Sequence, residues 1–191
     1  MTSKEKVKNN SLLTTLINVR SSELFWIITF SVLTALSAQV AVPTQPVPFT
    51  LQTMLVLLSG AFLGSRKSAY SQILYLAVGV LGLPVFAGFT FGFAKLFGPT
   101  GGYLLSFPFA AFLVGYILEG KTNSFLILLS FIAGGLLILL AGASYLSVFM
   151  GGDFYKALFS GAIIFSVWDI IKIAAAFSIY KAVSKKYPKL P

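Results

Sequence analysis

Long apolar segments separated by short polar ones constrain the fold of this chain more than any other feature. Hydrophobic residues make up 57% of the sequence and charged residues only 10%, whereas a soluble domain carries about 25% charged residues. Several segments approach or exceed the roughly 20 apolar residues that cross a bilayer as a helix. The six segments are residues 24–42, 50–63, 68–81, 102–118, 124–148 and 157–182.

These segments predict an all-α integral membrane protein built as a bundle of six transmembrane helices. Residues 24–184 would form the bundle, with tails at residues 1–23 and 185–191. The segments at 50–63 and 68–81 are short for complete spans, so we expect them to be tilted or broken.

The basic residues predict the orientation of the bundle, because cytoplasmic connections are enriched in Lys and Arg. The net charge is +9, from 14 basic and 5 acidic residues. With the N-terminus inside, only Lys95 and Lys156 fall in outer connections, and Lys172 lies within a helix. We therefore expect a multi-pass membrane protein with both termini cytoplasmic, and no nucleic-acid partner. The inner basic residues are Lys4, Lys6, Lys8, Arg20, Arg66, Lys67, Lys121, Lys181, Lys185, Lys186 and Lys189.

The residue types that are missing argue against an enzyme. The sequence has no cysteine and no histidine, which removes thiolate chemistry, the commonest metal ligand and the commonest general base. No metal or cofactor is expected. Residues 115–122 match the phosphate-binding pattern G-x-x-x-x-G-K-[ST], but that pattern works in a loop between a strand and a helix. Here the residues continue a membrane helix, so any ATP hydrolysis is expected in another subunit.

Asp169 and Lys172 stand inside the last apolar segment. A charged residue at the centre of a bilayer costs about 2.5–3.5 kcal/mol on insertion scales and usually marks a substrate or ion path. At this spacing both side chains lie on one helical face and can pair. The pair is either part of a substrate site or a structural ion pair facing the bundle interior.

The two predicted outer connections differ in composition from the inner ones. Residues 43–53 contain three prolines, which favour an extended path, followed by Thr50 as a possible helix cap and by Gln52 and Thr53 as hydrogen-bonding groups. Residues 82–101 are rich in glycine and phenylalanine. Their aromatic side chains either wall an apolar ligand near the outer face or form an interfacial aromatic belt.

The first helix carries small residues at the spacing that lets membrane helices approach closely. Ser31 and Ala35 are one such pair, and Ala38 continues the same face. This face either packs within the bundle or docks onto a partner membrane protein.

Four motifs taken together closely resemble the BioY family, the biotin-binding S components of energy-coupling factor (ECF) transporters. They are Pro-Val-Pro-Phe-Thr-Leu-Gln-Thr at 46–53, Gly-Leu-Pro-Val-Phe-Ala-Gly at 82–88, Gly-Pro-Thr-Gly-Gly-Tyr at 98–103 and Asp169-x-x-Lys172. The resemblance extends from about residue 34 to 176. It implies a six-helix bundle that captures biotin from outside. It also implies docking onto a membrane scaffold subunit that carries two ATPase subunits.

The resemblance places the ligand site at Asp169 and Lys172, and the residue chemistry is compatible with biotin. A carboxylate accepts from the ureido N–H groups, a cation or amide donates to the ureido carbonyl, and phenylalanines suit the apolar ring and chain. The partner-docking candidates are Ser31, Ala35 and Ala38. The substrate-binding candidates are Asp169, Lys172, Gln52, Thr53, Phe86, Phe89, Lys95, Gly101 and Tyr103.

Two other functions remain open from the sequence. A stand-alone carrier or facilitator would use Asp169 and Lys172 to couple transport to a proton gradient. A small intramembrane enzyme is the third candidate, but the missing cysteine and histidine weaken it.

Overall fold

The fold of the described residues is helical apart from one two-stranded ribbon. The computed structural model describes residues 22–120 and 123–186, so most of the two predicted tails lies outside the described residues. The strands are β1 (Ala41–Val42) and β2 (Phe49–Thr50), which pair antiparallel. The helices are α1 (Glu23–Gln39), α2 (Gln52–Leu63), α3 (Ser65–Val80), α4 (Phe93–Leu96), α5 (Gly101–Leu118), α6 (Ser124–Phe149), α7 (Phe154–Gly161) and α8 (Ser166–Ser184).

This architecture confirms the predicted helical bundle, because α1, α2, α3, α5, α6 and the combined α7–α8 segment correspond to the six apolar segments. Within the described residues, three helical segments are long and apolar enough to cross a membrane: Gly101–Leu118, Ser124–Phe149 and Phe154–Ser184. The apolar helices α1 and α2 are shorter. The length and composition of these helices fit a membrane protein.

The last apolar segment is broken, where the sequence predicted one continuous helix over residues 157–182. Helix α7 ends at Gly161, a 3₁₀ turn spans Ile163–Phe165, and α8 follows directly. The Gly161 carbonyl oxygen accepts a hydrogen bond from the Tyr103 hydroxyl at 2.6 Å. A side chain at Gly161 would overlap that hydroxyl. A tyrosine on α5 therefore occupies the break.

Two helix starts also differ from the sequence prediction. Helix α3 begins at Ser65 rather than at residue 68, and the chain turns from α2 into α3 at Gly64, whose φ is 78°. Thr50 does not cap α2, since Leu51 occupies that position and no side chain bonds there. The Thr50 hydroxyl instead donates to Gln52 Oε1 at 3.0 Å.

The small-residue face of α1 is used for packing inside the chain. Ser31 and Ala38 are buried, and Ala35 packs against the hydrophobic core. Next to them, Thr34 Oγ1 accepts from the buried Gln72 amide of α3 at 3.3 Å. Ser31 and Ala38 therefore present little surface to a partner subunit, Ala35 is partly exposed, and docking through these residues remains a prediction.

Candidate functional site

A cavity opens between β2, the start of α2, the connection that follows α3, and helices α5, α6 and α8. It contains about 640 Å³ of space not occupied by atoms, including the part open to solvent. Most of the residues predicted from the sequence to bind substrate line it: Gln52, Thr53, Phe86, Lys95, Tyr103, Asp169 and Lys172. The fold thus brings together side chains that are up to 120 positions apart in the sequence.

The charged pair of α8 lies in the wall of this cavity. Lys172 Nζ is 2.5 Å from Asp169 Oδ1, which confirms the pairing predicted from their spacing. Both side chains are largely buried, with 11% of the Lys172 side chain and 14% of the Asp169 side chain exposed. Lys172 Nζ also donates to the Thr50 carbonyl oxygen at 3.3 Å, so the ammonium group joins α8 to β2.

Gln52 connects this pair to a second hydrogen-bonded group. Its Nε2 donates to the Tyr75 hydroxyl at 2.6 Å. Tyr75 in turn donates to the Val85 carbonyl oxygen at 3.3 Å. Gln52 is buried, and both its amide nitrogen and its amide oxygen form hydrogen bonds within the protein. In this structure its side chain therefore links α2 to α3.

Two polar atoms in the wall of the cavity have no hydrogen-bond partner among the residues that the structure describes. They are Asp169 Oδ2 and Thr53 Oγ1, and both are buried. An unpaired buried polar group typically costs about 1–3 kcal/mol, and more if it is charged. Because both atoms belong to residues that line one cavity, a polar ligand there can supply the missing hydrogen bonds.

Aromatic side chains form the apolar part of the wall. Phe86 is fully buried and packs edge-on against Tyr75, with ring centroids 5.6 Å apart. Gly79 leaves room for the Phe86 ring, since a side chain at that position would overlap it. On the other side, Phe49 packs against Phe165 at a centroid distance of 4.2 Å. Such walls suit a ligand with an apolar ring or chain.

The Phe86 segment is held in place by the end of α1. Gln39 Nε2 donates to the Phe86 carbonyl oxygen at 3.1 Å, and Gln39 Oε1 accepts from the Phe89 backbone N–H at 3.0 Å. Phe86 and Thr90 also form a β-bridge. The glycine- and phenylalanine-rich connection is therefore ordered by side chains from two helices, α1 and α3.

Two of the predicted substrate-binding residues do not line the cavity. Phe89 adopts a positive φ of 55° in its turn, and 68% of it is exposed. Gly101 is buried beneath the Leu96 carbonyl, which a side chain at this position would overlap. Gly101 thus allows α4 to pack against the start of α5. Tyr103 does line the cavity, but its hydroxyl hydrogen is already donated to Gly161.

Lys95, on the short helix α4, brings a second ammonium group to the cavity. Within residues 22–120 and 123–186, its side chain makes no hydrogen bond or ion pair. Lys95 therefore differs from Lys172, whose charge is balanced by Asp169.

Several residues that line the cavity were not predicted from the sequence. They lie in β2 and the two residues before it, in α5, in α6 and in the 3₁₀ turn. They are Val47, Pro48, Phe49, Leu104, Phe107, Ile138, Leu139 and Phe165. The proline-rich motif at 46–53 contained a signal for the first three. The others are apolar residues of helices, and their sequence positions do not distinguish them from core or lipid-facing residues.

Comparisons with known proteins give one consistent result. The family model described as the BioY family matches residues 6–189. The probable biotin transporter BioY of Pyrococcus horikoshii is 40% identical over 161 residues, which cover 84% of this chain and 95% of that protein. The biotin transporter BioY of Thermotoga maritima is 38% identical over 147 residues, covering 77% of this chain and 86% of that protein.

A solved structure is also similar over nearly the whole chain. It is the crystal structure of the S-component for biotin from an ECF-type ABC transporter, with a TM-score of 0.80 and 27% identity. The match covers 97% of this chain and 95% of that one. The cavity described above therefore belongs to a fold already seen in a biotin S-component, and the chain is a member of the BioY family.

Proposed function

We propose that this protein is the membrane-embedded substrate-capture subunit of a biotin transporter. It binds biotin from outside and delivers it with an ATP-driven ECF module. The observation that carries the proposal is the cavity in which Asp169 Oδ2 and Thr53 Oγ1 lack partners beside the Asp169–Lys172 pair. Similarity to proteins named as biotin transporters supports biotin as the ligand.

The hydrogen-bonding groups of the cavity complement the ureido ring of biotin. A carboxylate oxygen accepts hydrogen bonds, and a hydroxyl both donates and accepts. In the proposed complex Asp169 Oδ2 accepts from a ureido N–H, and the Thr53 hydroxyl donates to the ureido carbonyl. Both buried atoms would then gain the hydrogen-bond partners that they lack in this structure.

The charges of the cavity complement the carboxylate of biotin. The described lining residues include two ammonium groups, Lys95 and Lys172, and one carboxylate, Asp169, which gives a net charge of +1. Because Asp169 balances Lys172, Lys95 is the cation left for the ligand carboxylate. The apolar chain of biotin would then extend from the charged pair towards α4, along Phe49, Phe86 and Phe165.

We further propose the partners and the orientation implied by this function. The partners are a transmembrane scaffold subunit and two ATPase subunits, and no step of ATP hydrolysis is assigned to this chain. The excess of basic residues in the inner connections supports a multi-pass arrangement in a bacterial cell with both termini in the cytoplasm. Biotin is the ligand, and no cofactor is involved.

Titration of the purified full-length protein in detergent tests the binding proposal. We expect saturable binding of biotin, and weaker binding of desthiobiotin, without ATP. Asp169→Asn and Lys172→Ala should each weaken biotin binding by about 2 kcal/mol or more, since each leaves a desolvated partner unpaired. Asp153→Asn, at the residue that precedes α7, and Lys156→Ala, in its first turn, make the same chemical changes away from the cavity and should leave the affinity unchanged. Wild-type affinity in both α8 variants would exclude this site.

A stand-alone carrier is the second candidate, because a buried acid–base pair can also take part in proton coupling. Uptake of biotin by cells with and without the scaffold and ATPase subunits separates the two functions. The S-component function requires uptake to depend on those subunits. Uptake that ignores them and follows the proton gradient would favour the carrier.

A further inference from the structure

A second groove lies at the opposite end of the bundle from the biotin cavity. It is formed where the turn between α2 and α3 contacts the last turns of α5. It contains about 1060 Å³ of space not occupied by atoms, including the part open to solvent. Gly64 and Gly115 allow this contact, because a side chain at Gly115 would overlap the Gly64 backbone.

Most of the charges in this groove are paired within the protein. Lys67 Nζ is 2.9 Å from Glu23 Oε1. Glu119 Oε1 accepts from the backbone N–H and the hydroxyl of Ser65 at the start of α3. Arg66 is exposed, and its guanidinium has no hydrogen bond or ion pair to the part of the chain that the structure describes. The groove therefore offers one free guanidinium group to an anion.

Two aromatic side chains of α5, Phe112 and Tyr116, lie beside Arg66 and are called the aromatic shelf. The rings of Phe112 and Tyr116 are stacked with centroids 6.1 Å apart and planes inclined by 9°. They are exposed by 42% and 64% respectively, and both line the groove. Tyrosine is enriched where the bilayer interior meets the headgroups, because its ring is apolar and its hydroxyl is polar. The shelf thus runs from the level of Arg66 into the apolar part of the bilayer.

We propose that this groove binds an anionic phospholipid. The Arg66 guanidinium donates two parallel hydrogen bonds to the headgroup phosphate, the geometry that arginine favours with phosphates. One acyl chain lies along Phe112 and Tyr116. An anionic headgroup fits better than a zwitterionic one, because Glu23 already balances Lys67, whereas no ion pair within the described residues balances the charge of Arg66. The orientation proposed above places this lipid in the cytoplasmic leaflet.

Native mass spectrometry of the full-length protein in detergent tests this proposal. Phosphatidylglycerol and phosphatidylcholine with identical acyl chains are the probes, and free glycerol 3-phosphate is the water-soluble comparison. We expect phosphatidylglycerol to be retained about fivefold more than phosphatidylcholine, the scale of one basic residue at an anionic surface. Arg66→Gln should abolish this preference, whereas Lys156→Gln, which removes the same charge at the other end, should keep it. Tyr116→Ala should weaken retention of both lipids, unlike Tyr155→Ala, which alters an exposed tyrosine outside the groove.

Several results would overturn the lipid site. They are equal retention of the two lipids by the wild-type protein, unchanged retention in Arg66→Gln, and an equal loss in Lys156→Gln. Displacement of the lipid by millimolar glycerol 3-phosphate, with no effect of Tyr116→Ala, would identify a site for soluble phosphates instead. Loss of co-purifying transporter subunits in Arg66→Gln with unchanged lipid retention would identify a protein-docking surface. Biotin titration of Arg66→Gln should match the wild type, so this test is independent of the biotin site.

Discussion

The Lys172 ammonium group on α8 donates a hydrogen bond to the Thr50 carbonyl oxygen on β2 at 3.3 Å. The Thr50 hydroxyl donates to Gln52 Oε1, and Gln52 Nε2 donates to the Tyr75 hydroxyl. The Tyr75 hydroxyl in turn donates to the Val85 carbonyl oxygen. This series of hydrogen bonds joins the charged pair to both connections that border the cavity. Loss of a hydrogen bond near the charged pair is therefore expected to alter the order of the connection that contains Val85, and the reverse.

Tyr75→Phe tests that series. It removes the acceptor of Gln52 Nε2 and the donor to the Val85 carbonyl, so a buried amide group loses its partner. We expect biotin affinity to fall by about 1–3 kcal/mol and hydrogen exchange of residues 81–92 to become faster. Tyr70→Phe, on the exposed side of the same helix, is the control. Unchanged affinity and exchange in Tyr75→Phe would show that the series does not couple the site to the connection.

Tyr103→Phe tests the role of the break between α7 and α8. The Gly161 carbonyl oxygen would lose its 2.6 Å hydrogen bond from the Tyr103 hydroxyl. We expect the free energy of unfolding to fall by about 1–3 kcal/mol, the cost of leaving a buried acceptor unpaired. Thermal unfolding in detergent without biotin measures it. Tyr116→Phe, where the tyrosine is exposed, should unfold like the wild type. A wild-type melting temperature for Tyr103→Phe would show that the hydrogen bond to Gly161 does not stabilise the break.

Gly79→Ala tests whether biotin binding depends on the position of the Phe86 ring. The new methyl group would overlap the Phe86 ring, which must then move into the cavity or away from its wall. Overpacking of this kind costs about 1–3 kcal/mol, and we expect a comparable loss of biotin affinity by calorimetry. Gly135→Ala is the matched control in α6, since a side chain there meets only Ile173 at an ordinary 3.4 Å. Equal affinities in the two variants would show that Phe86 tolerates displacement.

Lys95→Gln tests the orientation proposed for biotin. If Lys95 holds the ligand carboxylate, the variant should lose about 1.5–3 kcal/mol of biotin affinity, the range for hydrogen bonds to charged groups. It should bind biotin methyl ester as the wild type does, because the ester carries no charge. Lys156→Gln should affect neither ligand. A loss for the ester as large as the loss for biotin would place the carboxylate elsewhere.

The sequence alone determined the features that depend on neighbouring residues. Apolar runs predicted the helices, because a segment in lipid must satisfy its own backbone hydrogen bonds. The spacing of Asp169 and Lys172 predicted their ion pair, because residues three apart share one helical face. Four short motifs, each continuous in the sequence, were enough to indicate the BioY family.

Only the tertiary structure decided the features that depend on distant residues. Tyr103 occupies the break at Gly161 from 58 positions away. The face of α1 that includes Ser31 and Ala38 turned out to pack inside the chain, and Phe89 turned outward although Phe86 turned inward. Each of these outcomes results from contacts between helices that residue spacing does not specify. The sequence could not predict the unpaired atoms Asp169 Oδ2 and Thr53 Oγ1 for the same reason, because whether a buried atom has a partner depends on all the residues packed around it.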